Sequence, residues 1–484
     1  MKKITFKFLG IVFFLMFIET IDAAIKLPAI VSSNMVLQRN TEVVLWGWAD
    51  PEEKITINTS WLKKTFKIRA DKNGNWRIEV NTTNSKNAQS IEITSKTSGI
   101  TLENILFGEV WLCSGQSNMQ QSMMGYGGQP TFDTALPIAR SNNFNLRLFT
   151  VNRVGSKTPQ KDLKKYTPWQ QASPKNVSEF SAIAYFFGQQ LQEILDCPVG
   201  LIHTSWGGSS VEAWMSKEAI STYQKVNLEN RDLKKRTNSI PTALFNGMIH
   251  PLIPYTIKGM LWYQGESNRM QPEKYKKFFP AMVKDWRKRW EIGGFPFFYV
   301  QIAPYLYGNN EVFQKVENTA FIREAQLQCL DLIPNSGIAI TMDIGDKESI
   351  HPPKKKEVAD RLLLNALHKT YGYTSISYAS PVYTSLEIKD NSILLKFKNN
   401  KKGLYSYDGL SGFEIAGDDK VFYPAVAKIV NRKNVLVTST KVPNPIAVRY
   451  AWKNWINGTL YNGALLPASS FRTDTWNDAT RAEK

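Results

Sequence analysis

The stretch Gly108-Glu-Val-Trp-Leu-Cys-Ser-Gly-Gln-Ser-Asn-Met119 joins an apolar run to a turn of small residues. This order is typical of a buried strand that ends in a tight turn, and it would lift the hydroxyl group of Ser117 out of the edge of a sheet. One of the four histidines of the chain, His351, lies far downstream, just before a helical pattern. A serine and an imidazole on separate loops are the usual layout of a hydrolase triad, which is recognised by geometry rather than chain order. We therefore predict Ser117 as a nucleophile and His351 as its base.

Between about residues 109 and 371, apolar strand patterns alternate with helical patterns. Strand patterns cover residues 199–203, 257–263 and 297–302, and helical patterns cover residues 180–195 and 354–368. This alternation favours a parallel sheet with helices on both faces. Ligand sites in such α/β folds form at the carboxyl ends of the strands. The sequence therefore predicts an α/β domain whose site lies just after its strands.

Two regions of alternating apolar and polar residues flank this part. Residues 27–106 alternate as antiparallel strands do, and Asp71-Lys-Asn-Gly-Asn75 has the composition of a hairpin turn between residues 66–69 and 76–80. The same alternation returns after about Pro381. The predicted domains are a β-sandwich module over residues 25–106, a catalytic domain over 107–376, a second β-module over 377–476 and a polar tail over 477–484.

Residues 1–24 have the pattern of a secretory signal peptide. Lys2 and Lys3 form a basic start, residues 8–18 form an apolar core, and Ala23-Ala24 offers a cleavage site between small residues. The apolar run is shorter than the roughly 20 residues that span a bilayer. We therefore expect a periplasmic or secreted protein with no stable membrane insertion once the signal peptide is removed.

The composition argues against several other classes of protein. The three scattered cysteines do not form a disulfide framework, and neither they nor the four dispersed histidines have the close spacing of a zinc site. The sequence has no glycine-rich phosphate loop, so we expect neither a cofactor nor a metal. The formal net charge of +18 is spread over the whole length without a nucleic-acid-binding motif, so we expect no nucleic-acid partner.

Three loops of the sequence contain the parts of an ester-cleaving site. Such a site needs a base for the serine proton and hydrogen-bond donors aimed at the carbonyl oxygen on which negative charge develops. The first loop supplies Ser117 with its own N–H, and the second, Ser205-Trp-Gly-Gly-Ser-Ser210, supplies glycine backbone that can approach a substrate closely. The third supplies the side-chain amides of Gln264 and Asn268, between which the sequence does not decide.

Motifs over the whole chain carry a resemblance to a known family. They include Gly115-Gln-Ser-Asn-Met119, Trp206-Gly-Gly-Ser-Ser-Val-Glu-Ala-Trp214, Trp262-Tyr-Gln-Gly-Glu-Ser-Asn268 and Ile350-His-Pro352, with flanking motifs such as Asn34-Met-Val-Leu-Gln38 and Phe471-Arg-Thr-Asp474. In these motifs the chain resembles the sialate O-acetylesterase family of the SGNH hydrolases. The resemblance implies a three-layer, flavodoxin-like parallel-sheet domain flanked by β-sandwich modules.

The resemblance also implies roles for individual residues. Ser117 would be the nucleophile and His351 the general base. The oxyanion hole would consist of the N–H of Ser117, a glycine N–H from Gly207 or Gly208, and one amide of the third loop. The expected substrate pocket is formed by Gln116, Trp206, Glu212 and Glu266.

The acid of the expected triad departs from the family pattern. In the superfamily the acid is an aspartate three residues before the histidine, and that position here is Glu348. Glu348 is therefore the expected acid, and Asp346 or a backbone carbonyl could orient the imidazole instead. A serine–histidine dyad is the alternative, because the acid orients the imidazole and stabilises its charged form without itself being protonated.

The family name implies an exported esterase that removes O-acetyl groups from sialic acids through an acetyl-serine intermediate. Acetylxylan or another acetylated polysaccharide is the alternative substrate, although the positive net charge favours an acidic sugar. From a different class, the missing aspartate would also suit a glycan-binding protein that has lost catalysis. Regiospecificity and oligomeric state do not follow from the sequence.

Overall fold

The computed structural model describes residues 24–229, 231–307 and 318–476. The predicted tail and all but the last residue of the predicted signal segment lie outside the described residues. Within the described part, no helix combines the length and the apolar character that crossing a bilayer requires.

The helices and strands are numbered here in chain order. The helices are α1 (Ser117–Gln120), α2 (Ala135–Ala139), α3 (Pro174–Ser178), α4 (Ala182–Leu195), α5 (Lys217–Ser221), α6 (Pro272–Trp290), α7 (Ala320–Leu332) and α8 (Lys355–Lys369). The strands are β1 (Val36–Gln38), β2 (Glu42–Trp48), β3 (Lys54–Thr59), β4 (Phe66–Arg69), β5 (Asn75–Asn81), β6 (Gln89–Thr94), β7 (Gly99–Gly115), β8 (Asn143–Val151), β9 (Tyr166–Ala172), β10 (Val199–Ser205), β11 (Gly259–Tyr263), β12 (Phe297–Val300), β13 (Ser336–Ala339), β14 (Val382–Lys389), β15 (Ser392–Lys398), β16 (Leu404–Tyr405), β17 (Phe413–Ala416), β18 (Tyr423–Pro424), β19 (Val426–Val430), β20 (Asn434–Thr438), β21 (Ala447–Tyr450), β22 (Tyr461–Asn462) and β23 (Phe471–Arg472).

The centre of the fold is a sheet with the strand order β13-β12-β11-β7-β10-β8-β9. Neighbouring strands of this sheet pair in parallel, except that β8 and β9 are antiparallel. The strands predicted at residues 199–203, 257–263 and 297–302 are present as β10, β11 and β12. The prediction of a mainly parallel sheet is therefore confirmed.

Helices cover both faces of the central sheet, as the alternation of side chains along β7 requires. Trp111 and Cys113 belong to one apolar cluster together with buried residues of α4 and α8. Val110 and Leu112 belong to a second cluster together with residues of α6 and α7. Because consecutive residues of a strand point to opposite faces, β7 is buried on both sides. The three-layer α/β architecture is confirmed.

Strand β7 connects the N-terminal module to the central sheet without a break. Its first part pairs antiparallel with β6, and residues 106–108 pair in parallel with β1. Its last seven residues, Glu109–Gly115, pair with β10, and Trp111–Gly115 also pair with β11. The predicted boundary between residues 106 and 107 lies inside this one strand, so the chain has no linker there.

The turn predicted at Asp71–Asn75 forms, with the N–H of Gly74 donating to the carbonyl oxygen of Asp71 at 2.9 Å. The strands on either side of it, β4 and β5, pair with β3 and β2 and so belong to different sheets. The hairpin prediction is therefore wrong in its pairing. Turn residues determine where the chain reverses, whereas buried side chains such as Trp76 and Ile78 select the partner of the strand.

Beyond Pro381 the chain forms two four-stranded sheets, β14-β15-β20-β19 and β18-β17-β21-β23. Buried hydrogen bonds hold this C-terminal part against the central domain. Arg323 of α7 donates to Ser470 Oγ at 3.0 Å and to the carbonyl oxygen of Lys453 at 2.6 Å. Since a buried charge without partners is costly, these contacts specify how the two parts pack.

The carboxyl ends of β7, β10 and β11 lie side by side at one edge of the central sheet. Their register places Gly115 opposite both Ser205 and Tyr263. Gly115 has a φ of 141°, and a Cβ atom at this position would lie 2.1 Å from the carbonyl oxygen of Tyr263. Only glycine permits this close approach, which sets the start of the turn that carries Ser117.

We expect Gly115→Ala to lower the free energy of unfolding by about 2 kcal/mol or more, because the added methyl group clashes with backbone and the φ angle is strained. Denaturant-induced unfolding measures this difference. Gly127→Ala is the control, since its Cβ atom would meet nothing within 4 Å, and it should change the free energy by less than about 0.5 kcal/mol. Equal losses in the two variants would contradict the packing argument.

Candidate active site

Ser117 and His351 meet at the carboxyl edge of the sheet although 234 positions separate them. Ser117 is the first residue of α1, directly after β7, and His351 lies in the loop that leads from β13 to α8. Ser117 Oγ lies 2.8 Å from His351 Nε2. Both side chains are half-buried. The structure thus places the two residues predicted as nucleophile and base within hydrogen-bonding distance.

The other nitrogen of the imidazole contacts an amide rather than a carboxylate. His351 Nδ1 lies 2.6 Å from Gln129 Oε1. Because a carbonyl oxygen only accepts, Nδ1 carries the proton and donates it, which leaves Nε2 as the acceptor for the hydroxyl proton of Ser117. This is the tautomer that a general base needs.

The predicted acids do not contact the imidazole. Asp346 Oδ1 accepts the backbone N–H groups of Glu348 at 2.8 Å and of Ser349 at 3.1 Å, so this carboxylate caps its own turn. Glu348 is exposed. Within the described residues the position of the triad acid is taken by Gln129, which the sequence analysis missed. A glutamine that follows two glycines in a loop carries no sequence signal for this role.

The pKa of His351 is lowered to about 4, first because burial disfavours the charged imidazolium and second because the positive charge of Lys355 opposes protonation. The imidazole is therefore neutral, and able to accept a proton, at every pH above this value.

Tyr126 also belongs to the site, and the sequence analysis did not identify it. Its hydroxyl group donates to the carbonyl oxygen of Ser117 at 2.8 Å. Its ring meets that of His351 edge-on, with 5.1 Å between the ring centroids. Burial raises the pKa of this phenol to about 12, so the phenol remains a neutral donor. It stabilises the turn at Ser117 and packs against one side of the imidazole.

Of the predicted oxyanion donors, the N–H of Ser117 has the most suitable place. It is the first N–H of α1, and the first N–H groups of a helix have no partner within the helix. Gly207 packs against Ser117, since a Cβ atom at Gly207 would lie 3.3 Å from Ser117 Cβ. Its N–H, however, donates to Gln120 Oε1 at 2.9 Å. Gly208 follows with a φ of 68°, a left-handed conformation that favours glycine.

The two candidate amides of the third loop are engaged elsewhere. Gln264 Nε2 donates to the carbonyl oxygen of Ser209 at 3.0 Å and to Asn268 Oδ1 at 2.7 Å. Asn268 Nδ2 donates to Glu212 Oε2 at 2.9 Å. Both side chains are buried. Their bonds brace the third loop against the second, and neither is directed by these bonds toward the hydroxyl group of Ser117.

Two of the four predicted pocket residues, Gln116 and Glu212, are buried braces as well. Gln116 Oε1 accepts the N–H of Gly265 at 3.3 Å. Glu212 pairs with Lys274 at 2.9 Å, and although burial opposes it, this ion pair and the bond from Asn268 lower the pKa of the Glu212 carboxyl. Glu266 and Trp206 differ: Glu266 accepts a bond from the residue after Ser117, and Trp206 is only partly buried beside Gly115.

The side chains of the described residues do not meet the requirements of a metal site. In the ranges 24–229, 231–307 and 318–476, no group of three or more His, Cys, Asp or Glu side chains is arranged to hold a metal ion. The parts assembled around Ser117 are those of acyl transfer: a hydroxyl group, a neutral imidazole with a fixed tautomer and a helix N-terminus.

Comparison with known proteins agrees with this chemistry. Residues 107–359 match the profile of the carbohydrate esterase family described as sialic acid-specific acetylesterase. The chain is 27% identical over 473 residues to human sialate O-acetylesterase, covering 89% of this chain and 88% of the human protein. The mouse sialate O-acetylesterase is 26% identical over 518 residues, with 92% and 94% covered.

Among solved structures, a carbohydrate acetylesterase from Xanthomonas citri is similar over nearly the whole chain. The two are 33% identical with a TM-score of 0.85, and the alignment covers 94% of this chain and 100% of the Xanthomonas chain. The similarity therefore includes the flanking β-modules as well as the central sheet.

We expect Gln129→Ala to lower kcat about 10-fold to 100-fold, because a hydrogen bond to a group that becomes charged contributes about 1.5 to 3 kcal/mol. Initial rates of acetate release from a chromogenic acetyl ester measure the effect. Glu348→Gln and Asp346→Asn are the matched controls and should retain near-normal rates. A loss in either control as large as that of Gln129→Ala would assign the orienting role to a carboxylate.

Proposed function

The chain belongs to the family of sialic acid-specific carbohydrate acetylesterases, and from this premise we propose that it removes O-acetyl groups from sialic acids with Ser117 as nucleophile. As a member of this family it is a carboxylic ester hydrolase. The observation that carries the serine assignment is the 2.8 Å contact between Ser117 Oγ and His351 Nε2, with Nδ1 held by Gln129.

The proposed reaction has two steps. His351 Nε2 takes the hydroxyl proton as Ser117 Oγ attacks the acetyl carbonyl carbon, and the N–H of Ser117 donates to the oxygen on which negative charge develops. The ester bond then breaks, and the imidazolium returns its proton to the departing sugar oxygen. In the second step a water molecule loses a proton to His351 and attacks the acetyl-serine. The bond between Oγ and the acyl carbon then breaks, and the imidazolium gives its proton to Ser117 Oγ, which releases acetic acid and restores the hydroxyl group.

Charge supports an acidic sugar as the substrate. The net charge of the chain is +18. Burial raises the pKa of the Tyr126 phenol, and the positive charge of the exposed Arg153 opposes this rise; the Tyr126 hydroxyl group bonds to the carbonyl oxygen of Ser117. Sialic acids carry a carboxylate that such a charge would attract.

A second substrate class has its own support. The Xanthomonas relative, described only as a carbohydrate acetylesterase, is 33% identical to this chain, against 27% for the human sialate O-acetylesterase. Because that description does not restrict the substrate to sialic acids, acetylated xylan or another polysaccharide is the alternative substrate.

We also propose that the protein is exported. The support is the pattern of residues 1–24, with a basic start, an apolar core and the pair Ala23-Ala24. N-terminal sequencing of the protein recovered from its native compartment tests this proposal. A mature chain that begins near residue 25 supports it, and a chain that begins at Met1 contradicts it.

Ser117→Ala and His351→Ala should each lower kcat by at least about 1,000-fold, since members of such a unit fail together when one is removed. Acetate release from a chromogenic acetyl ester is the measurement. Ser267→Ala, an exposed serine of the third loop, is the matched control and should be fully active. If Ser117→Ala is as active as the wild type, the assignment of the nucleophile is wrong. If the wild type releases no acetate yet binds glycans, the protein is a lectin-like relative.

Substrate choice is tested with O-acetylated sialic acid, its carboxylate methyl ester and O-acetylated xylo-oligosaccharides. We expect kcat/KM to be at least about tenfold higher for the free acid than for the methyl ester, because the ester removes the charge. Arg153→Gln should reduce this ratio. Equal kcat/KM for the acid and its methyl ester, with faster turnover of xylo-oligosaccharides, would favour the neutral polysaccharide.

A further inference from the structure

One buried carboxamide links the loops of Ser117 and His351. Asn118, which follows Ser117, donates through Nδ2 to Glu266 Oε1 at 2.6 Å and to the carbonyl oxygen of Ile350 at 3.1 Å. Ile350 directly precedes His351. The separation of the hydroxyl group and the imidazole is therefore set partly through the side chain of Asn118.

The oxygen of the same carboxamide holds a buried lysine. Asn118 Oδ1 accepts from Lys355 Nζ at 2.6 Å, and Lys355, in the first turn of α8, has 0% of its surface exposed. Glu266 is also buried, with 3% exposed. Opposite charges thus lie at the two ends of one amide group. A buried polar group is costly unless it is hydrogen-bonded, so the carboxamide of Asn118 supports both the ammonium group and the carboxyl group.

We propose that Lys355 is a positioning residue of the esterase. Through Asn118 it holds the loops of Ser117 and His351 at hydrogen-bonding distance, and its positive charge adds to burial in opposing protonation of the imidazole. This inference rests on the proposed function and adds to it a residue that does not touch the substrate.

The electrostatic part follows from what surrounds the imidazole. Its Nδ1 partner is the neutral Gln129 instead of a carboxylate, so among the residues that the structure describes no anion bonded to the ring offsets the cation. The charge of Lys355, after burial, is the second cause that lowers the pKa of His351 to about 4. The other ring against the imidazole is the phenol of Tyr126, which is neutral.

Among the described residues, the titratable groups around Lys355 and Glu266 include Arg269 and three tyrosines. Burial lowers the pKa of Lys355 to about 7, against the raising influence of Glu266. Its ammonium group also lies 6.0 Å from the centroid of the Tyr263 ring. Burial raises the pKa of Glu266, whereas Lys355 and Arg269 lower it. The phenols of Tyr263, Tyr275 and Tyr307 complete the surroundings of Glu266.

The test compares the pH dependence of kcat/KM, which reports the free enzyme, in the wild type, Lys355→Met and Lys355→Gln. We expect the midpoint of the acid limb to move to higher pH by at least about 0.5 in both variants, because both lack the cation. Lys355→Gln retains an amide donor for Asn118, so its kcat should exceed that of Lys355→Met. Lys356→Met, which removes a partly exposed neighbour paired with Asp360, is the control and should keep the wild-type profile.

Glu266→Gln is the complementary variant. It removes the anion and leaves the cation, so its acid limb should stay in place or move to lower pH, with thermal unfolding confirming that the variant is folded. An unshifted acid limb in Lys355→Gln, with wild-type kcat, would overturn the proposal. In that case an active wild type that depends on Ser117 would leave the proposed function standing. A wild type without esterase activity would instead refute the proposed function.

Discussion

The parallel pairing of β7 with β10 and β11 is the constraint on which the site depends. It brings Gly115, Ser205 and Tyr263 to the same level of the sheet, so the loops that follow these strands begin beside one another. The 2.1 Å approach that a Cβ atom at Gly115 would make to Tyr263 shows how little room the register leaves. The placement of Ser117 is therefore a property of the sheet edge, and side chains from three loops only refine it.

An amide in the position of the triad acid changes the electrostatics of the site. A carboxylate next to Nδ1 would stabilise the imidazolium that forms in each step of the proposed reaction, whereas Gln129 offers only a neutral acceptor. The enzyme must then obtain most of its stabilisation of charge from donors at the oxyanion and from fixed geometry. In return, the tautomer of His351 is fixed without raising the pKa of the ring, since burial keeps that value near 4.

Periodicity and motif spacing predicted the central sheet and the pair Ser117 and His351, because both depend on local patterns and on the rule that strand ends carry sites. Gln129 was not predicted, because it lies 222 positions from His351 in the sequence. The loop that contains it has no characteristic sequence pattern. Gln264 and Asn268 were predicted as donors to an oxyanion because their residue type allows it. Their actual partners, Ser209 and Glu212, depend on how the loops pack, and sequence spacing carries no information about that packing.

The continuity of β7 has a consequence for how this protein can be divided. Strand β7 is shared by the N-terminal module and the catalytic sheet. Removing the N-terminal module would therefore take away the first half of β7 and its pairing partner β1. Recombination between relatives at residue 106 would therefore join mismatched halves of a ladder. We therefore expect the N-terminal module and the catalytic domain to evolve together, and a truncated or chimeric protein should not be joined within β7.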